Sequence, residues 1–197
     1  LDDDPGAVTD VQQEGDVTTV VGAWAVAGGF EAEWEISFDP DPFVSSSFNI
    51  TNPSGSADDF IVEVSTPANP QVPAPSQVDG SVAGSLLDSN NVDGATISTL
   101  SGSAWYEALV DGSVIESLYP APNSISIPDG VANIPAMSFS DSMGPEALNT
   151  IGIRNSFNLT GGDTAQMVSF FELVPTPGTA AILGCSSLVV FRRRREG

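Results

Sequence analysis

Apolar and polar residues alternate along much of this chain with a period of two, which is typical of β-strands that bury one face. The clearest alternation lies in residues 30–39, where five apolar residues are interleaved with five polar ones: Phe30, Ala32, Trp34, Ile36 and Phe38 against Glu31, Glu33, Glu35, Ser37 and Asp39. We therefore predict a strand here with one face toward a core and the other toward water.

Turn signals separate roughly ten such segments at intervals of about 8–12 residues, a spacing typical of β-sandwiches. The pattern predicts hairpins over residues 44–65, 82–100 and 106–118. The third has the strongest signal, because Asp111-Gly112 stands between two β-rich runs and both residues accept the positive φ of a type I′ turn.

We predict an all-β fold, a single antiparallel β-sandwich over residues 17–173 that follows a flexible acidic lead-in over residues 1–16. The proline-rich segment 66–76 is interpreted as a crossover within that sandwich rather than a linker between two domains. The predicted core contains the large inward-facing residues of these strands: Trp34, Ile36, Phe38, Phe48, Ile50, Phe60, Val62, Leu109, Ile115, Ile153, Phe157, Leu159 and Phe171.

The charge balance excludes several functions. The chain has 197 residues with 26 acidic and five basic side chains, and it lacks histidine. Residues 1–191 carry 25 acids and one base, Arg154, so this body is expected to repel nucleic acid and to attract divalent cations. Without histidine there is no Ser-His-Asp or Cys-His site, and we predict no catalytic residues and no required cofactor.

Composition also bears on the compartment. The absence of lysine together with abundant Asp, Gly, Ser and Thr is typical of an extracellular bacterial protein. The chain starts at Leu1, which fits either removal of a signal peptide or the start of a fragment. The single cysteine, Cys185, has no partner for an intrachain disulfide.

The C-terminal segment 174–197 differs in character from the body. It begins with Val174, Pro175, Thr176, Pro177 and Gly178, continues as an apolar run over 179–191, and ends with Arg192, Arg193, Arg194 and Arg195. As a helix the apolar run would span about 20 Å, short of a hydrocarbon core of about 30 Å, although flanking arginines can snorkel. We predict a short hydrophobic membrane helix with the arginines as a cytoplasmic stop; the alternative is a core strand with a basic tail.

This order of elements resembles the PEP-CTERM sorting signal, with Thr176 where the usual Val-Pro-Glu-Pro motif has glutamate. The resemblance implies export in a Gram-negative bacterium that makes exopolysaccharide. It also implies recognition by an exosortase-type membrane peptidase, removal of the tail, and release or attachment at the cell surface. The body, at Asn49–Asn52 and Phe157–Thr160, looks like the uncharacterised β-sandwich bodies that carry this signal.

One loop has the composition of a calcium site. Asp88, Asn90 and Asp93 offer oxygen ligands ahead of Gly94, and Ca²⁺ prefers such ligands around a sharp turn. Val92 stands where a further oxygen is needed, so a polar turn is the alternative interpretation.

Two other sets of residues suggest chemistry. Glu31, Glu33 and Glu35 share one strand face about 7 Å apart, so they form a solvated face, a cation site or, least expected, a carboxylate pair of a glycan hydrolase. Trp24, Trp34 and Trp105 are candidates for a sugar-stacking platform, although core packing is the simpler role for Trp34.

The predicted function is therefore that of an exported, non-catalytic surface or matrix protein that contacts exopolysaccharide and divalent cations. The alternative is a self-assembling filament subunit, because the strand Ala165–Leu173 is apolar on both faces and an exposed strand edge can pair with a neighbour. A glycan hydrolase and an ice-binding protein are further alternatives, but the flat threonine arrays of an ice-binding face are absent.

Overall fold

The computed structural model describes residues 7–27, 29–39 and 42–176, and its regular structure there is entirely β. The strands in chain order are β1 (Ala7–Glu14), β2 (Val17–Ala25), β3 (Glu31–Asp39), β4 (Phe43–Asn52), β5 (Asp58–Pro67), β6 (Ser76–Leu87), β7 (Ala95–Ser98), β8 (Ala104–Val110), β9 (Ser113–Pro120), β10 (Ser124–Ile127), β11 (Val131–Gly144), β12 (Thr150–Leu159) and β13 (Asp163–Pro175). All pairings between them are antiparallel, as the sequence predicted.

The strands form two sheets that enclose one core. The seven-stranded sheet has the order β1-β2-β3-β4-β13-β6-β11. In the six-stranded sheet β12 is central: β5 pairs along one side of it, while β8 and β7 pair with different parts of the other side and are followed by β9 and β10. Hence each of the last two described strands is an inner strand of its own sheet: β12 in the six-stranded sheet and β13 in the seven-stranded sheet.

The alternation that predicted β3 is confirmed. Glu31, Glu33 and Glu35 are exposed, whereas Ala32, Trp34 and Ile36 are partly buried on the opposite face. This face is only partly covered because β1–β3 lie at one margin of the wider sheet. The described residues of β1 from Val8 onward are all exposed.

The predicted core is largely correct. Eight of its thirteen residues are buried and the other five are partly buried: Phe48, Ile50, Phe60, Leu109, Ile153, Phe157, Leu159 and Phe171 against Trp34, Ile36, Phe38, Val62 and Ile115. Phe157 joins the two sheets, because its ring stacks on Phe60 at 5.7 Å and on Phe48 of the opposite sheet at 6.2 Å between centroids.

Two of the three predicted hairpins are wrong. β4 pairs with β3 and β13, whereas the following strand β5 pairs with β12 in the other sheet. Likewise β6 and β7 lie in different sheets. The physical reason is that alternation and a polar turn are common to hairpins and to arches between sheets, and the local sequence does not distinguish them. The segment 66–76 also passes between sheets, as interpreted from the sequence, and Val72 within it is buried.

The Asp-Gly hairpin is confirmed. Val110 pairs with Ser113, and Asp111 and Gly112 both have positive φ, at 49° and 76°. The Asp111 carboxylate also accepts hydrogen bonds from the backbone N–H groups of Leu148, Asn149 and Thr150, at 3.0, 2.7 and 2.8 Å. These bonds, led by that from Leu148, lower the pKa of Asp111.

The two ends of the body differ from expectation. Residues 1–16 were predicted to be a loose lead-in, yet Ala7–Glu14 form β1, which pairs with β2. Its mixture of polar residues with Val8 and Val11 suits an exposed edge strand, which needs little apolar surface. At the other end β13 continues beyond the predicted boundary at residue 173 to Pro175, and the predicted C-terminal helix lies outside the described residues.

Replacement of Phe157 by alanine is expected to lower the free energy of unfolding by about 3–5 kcal/mol, because it removes a buried ring that contacts both sheets. The same change at Ile61, which is 65% exposed, is the control and should cost less than about 0.5 kcal/mol. Denaturant unfolding followed by tryptophan fluorescence measures both values. A loss below about 1 kcal/mol for Phe157→Ala would contradict the role of this ring.

Asp111→Asn is expected to lower stability at neutral pH, because the amide keeps the turn geometry but weakens the bonds to the three N–H groups. Since the pKa of Asp111 is lowered in the folded protein, its contribution is present above the usual aspartate value of about 4 and is lost as the pH falls through the lowered pKa. The difference in unfolding free energy between wild type and variant should therefore shrink on acidification. Asp129→Asn, in another exposed turn, is the control.

Candidate functional site

A groove opens where the wider sheet extends past β5. Its volume is about 530 Å³, and one wall is formed by the partly covered inner faces of β2 and β3. The other wall is formed by the first half of β5. The lining combines aromatic and acidic side chains: Trp24, Phe30, Trp34 and Phe60 with Asp58, Asp59 and Glu63.

Trp24 presents an aromatic surface at this groove. Its side chain is 39% exposed, and its ring meets Phe30 edge to face at 5.1 Å. Phe30 in turn meets Phe60 at 5.9 Å, and Phe60 stacks on the core residue Phe157. This row of rings connects an exposed indole to the core, so the orientation of Trp24 is set before any ligand arrives.

The position of the Trp34 ring requires a glycine at the opposing position on β2. Gly22 is its direct partner in the β2–β3 pair, and a Cβ at that position would clash with the indole ring. The ring therefore lies over Gly22 of β2 and lines the groove. Trp105, the third predicted platform residue, is wholly buried and takes no part in the groove.

The acidic side chains of β5 divide between its two faces. Asp58 shares the inner face with Phe60 and accepts a hydrogen bond from the hydroxyl of Ser54, in the turn before β5, at 3.0 Å. Asp59 and Glu63 project from the opposite face, where Asp59 accepts a hydrogen bond from the Asn158 amide at 2.8 Å and Glu63 pairs with Arg154 at 2.8 Å. A carboxylate such as Asp58 beside an exposed aromatic ring is suited to bind hydroxyl groups around an apolar ring face, which is the chemistry of a sugar.

Arg154 also pairs with Glu107 at 3.2 Å, so the guanidinium lies between two carboxylates. Both bonds, and that to Glu63 first, raise the pKa of Arg154. Because Arg154 is the sole basic residue of the described ranges, the surface charge of the body is almost wholly negative.

Glu31, Glu33 and Glu35 lie on the outer face of β3, away from this groove. Glu33 and Glu35 border a shallow depression together with Asn49 and Gln166. Their arrangement along one exposed strand corresponds to the predicted solvated face, and it does not place two carboxylates across a cleft from each other.

The predicted calcium loop folds over the turn before β13. The Asn90 amide donates to Asp93 at 3.1 Å and to the Gly161 carbonyl at 3.3 Å, and it packs against Gly162, where a Cβ would clash. Asp88 is buried and accepts a 2.7 Å hydrogen bond from the Asn91 N–H. The three predicted residues therefore lie together, although Asp93 is exposed.

Sequence analysis missed a fourth residue at this loop, Asp163. It is wholly buried, and burial raises its pKa, with the charges of Asp88 and Asp93 acting in the same direction. Its parity with the buried residues Ala165 and Met167 on β13 was the available signal, since it places an acid on the core face. Within residues 7–27, 29–39 and 42–176, no three or more His, Cys, Asp or Glu side chains form a ready metal cage.

The structure describes only Val174, Pro175 and Thr176 of the predicted sorting motif. Val174 and Pro175 end β13, opposite Gln77 and Ser76 of β6, and the Thr176 hydroxyl donates to the Pro75 carbonyl at 3.0 Å. Pro177, Gly178 and Arg192 to Arg195 lie outside the described residues. Across the described ranges there is no helix with the length and apolar character needed to span a membrane.

No protein-family model and no curated protein matches the chain. Among solved structures it is similar to the enzymatically active domain of tailspike protein 4 from bacteriophage CBA120, with 14% identity and a TM-score of 0.30. The alignment covers 81% of this chain and 20% of that structure. The chain thus spans about a fifth of that structure's length, and so distant a similarity assigns neither a family nor an activity.

Proposed function

We propose that this chain is an exported, non-catalytic surface or matrix protein whose body binds neutral polysaccharide in the groove between β3 and β5. The exposed Trp24 ring supports this proposal most directly, because it packs against Phe30, which in turn packs against Phe60, and Asp58 lines the same groove. A sugar ring would stack on the indole, and its hydroxyls would donate to Asp58, which shares the inner face of β5 with Phe60.

The net negative charge of the body favours binding of neutral polysaccharides over anionic ones. The body carries a net charge of −24 over residues 1–191, so it repels polyanions such as uronic-acid polymers. A neutral glycan meets no such repulsion and gains both aromatic contact and hydrogen bonds. We therefore assign the groove to neutral glucans or related exopolysaccharides.

The C-terminal residues 174–197 are proposed to be the sorting signal that delivers this body, read by an exosortase-type peptidase after transient insertion in the inner membrane. Two observations support this division. β13 ends at Pro175, so cleavage after it leaves every described strand intact, and the acidic body is followed by the apolar run 179–191 and then by the arginine cluster.

A specific observation keeps self-assembly as the second candidate. β1 is the terminal strand of the described seven-stranded sheet, and Val8 and Val11 on it are 55% and 59% exposed. The strand singled out by the sequence, β13, is instead paired on both sides by β4 and β6. Edge pairing between copies would thus use β1, and size-exclusion against concentration separates an assembling subunit from a monomer that binds glycan.

Trp24→Ala is expected to weaken binding to neutral polysaccharide at least tenfold, because a stacked aromatic residue is lost, whereas Trp24→Phe should retain most of it. Affinity electrophoresis against a panel of neutral glucans, followed by calorimetry on the best ligand, measures this. Phe43→Ala is the matched control, since Phe43 pairs with Phe170 on another face at 6.1 Å. Failure of every neutral glucan to bind, or equal binding by Trp24→Ala, would refute the groove assignment.

The sorting proposal is tested by intact mass of protein recovered from the surface of a Gram-negative host with an exosortase-type peptidase, and from the same host without it. We expect loss of the residues that follow the Pro175 region only in the first host. Thr176→Glu, which restores the usual motif, should be processed at least as completely, and replacement of Pro175 and Pro177 by alanine should reduce processing. Recovery with all four arginines intact from both hosts would overturn this part of the proposal.

A further inference from the structure

The register between β6 and β13 brings two acids together on the core face. Leu86 pairs with Ala165 and Leu87 pairs with Thr164, the last pair of this ladder, and continuing the same register by one residue brings Asp88 opposite Asp163. Directly opposed residues of an antiparallel pair project to the same face, with Cα atoms about 5 Å apart. Both acids share the parity of the buried Leu86 and Ala165, and they are 1% and 0% exposed.

Each of these carboxylates has one buried oxygen without a hydrogen-bond partner, and at Asp163 burial raises the pKa, which the nearby Ser89 N–H lowers only in part. One oxygen of Asp88 accepts the Asn91 N–H, and one oxygen of Asp163 accepts the Thr160 hydroxyl. The second oxygens, Asp88 Oδ2 and Asp163 Oδ1, are buried and have no hydrogen-bond partner among the described residues. A buried carboxylate oxygen without a hydrogen-bond partner lowers the stability of the folded protein, and repulsion between two neighbouring carboxylates lowers it further.

No positively charged side chain of residues 7–27, 29–39 and 42–176 lies beside this pair. Arg154, the one base in the described ranges, is held by Glu63 and Glu107 on the outer face of the six-stranded sheet. A third acid, Asp93, adds further negative charge at the rim of the loop. The pair therefore needs a cation from solution or a shared proton.

We propose that Asp88 and Asp163 bind one calcium ion, with Asp93 adding negative charge at the solvent side without being a ligand. Calcium accepts carboxylate, hydroxyl and water oxygens in flexible numbers, so two carboxylates suffice when neutral oxygens and water complete the shell. The smaller magnesium ion requires a regular octahedron and gives up water reluctantly, and it suits this recessed pair less well. The ion would connect the end of β6 to the start of β13. This inference is independent of polysaccharide binding.

The test uses the full chain, with EDTA, with calcium and with magnesium at the same ionic strength. Calorimetry should show one calcium per chain. The melting temperature of the wild type should rise by about 5–10 °C at a calcium concentration of about 100 times the dissociation constant, and much less with magnesium. Asp93→Asn should bind calcium more weakly without abolishing it.

Asp163→Asn and Asp88→Asn give the sharper result. Each removes the repulsion within the pair, so in EDTA each variant should melt at or above the wild-type temperature and then gain little from calcium. Asp59→Asn removes one charge from the groove and should keep the full calcium response. Absence of calcium binding by the wild type would overturn the proposal and leave a proton-sharing pair. An undiminished calcium response in both Asp163→Asn and Asp88→Asn would overturn it too.

Discussion

The position of the last two strands governs this structure. β13 lies between β4 and β6 and pairs with both along most of its length, while β12 pairs with β5, β8 and β7. Without β13 the seven-stranded sheet would divide into two parts, one made of β1, β2, β3 and β4 and the other made of β6 and β11. The two strands also meet across the core, where the Ser169 hydroxyl donates to the Asn155 amide oxygen at 3.2 Å and Asn155 donates to the Trp105 carbonyl at 3.0 Å. Pairings this distant in sequence form late, so neither sheet is complete until residues 150–175 are available.

Both candidate sites follow from this arrangement. Seven strands face a narrower sheet that ends at β5, so the inner face of β2 and β3 stays partly open and Trp24 and Trp34 line a groove. The insertion of β13 beside β6 aligns the ends of these strands, and Asp163 is thereby placed against Asp88. The groove is thus a result of unequal sheet width, and the acidic pair is a result of strand register.

The order of elements along the chain is also consistent with the proposed route of the protein. Because β12 and β13 are the last of the described strands and are central to both sheets, the body is expected to remain unfolded until they are available, which suits a protein that crosses a membrane before folding. The strong negative charge would keep the exported body soluble. The proposed sorting segment begins at Val174, beside the end of β13 at Pro175, so cleavage after Pro175 would leave the described strands of the body intact.

The sequence by itself determined most of the strand segments, although not β1, together with the two faces of β3, the Asp111-Gly112 turn and most of the large core residues, since periodicity and turn chemistry are local properties. It did not determine that β4 and β5 part into different sheets, that Trp105 is wholly buried, or that Ala7–Glu14 joins β2. Nor did it place Asp163, 70 residues beyond Asp93, at the loop it had singled out. Only the tertiary structure decided these points, because an alternating strand pattern leaves the choice of partner open and the competition among all thirteen strands for shared edges and one core settles it.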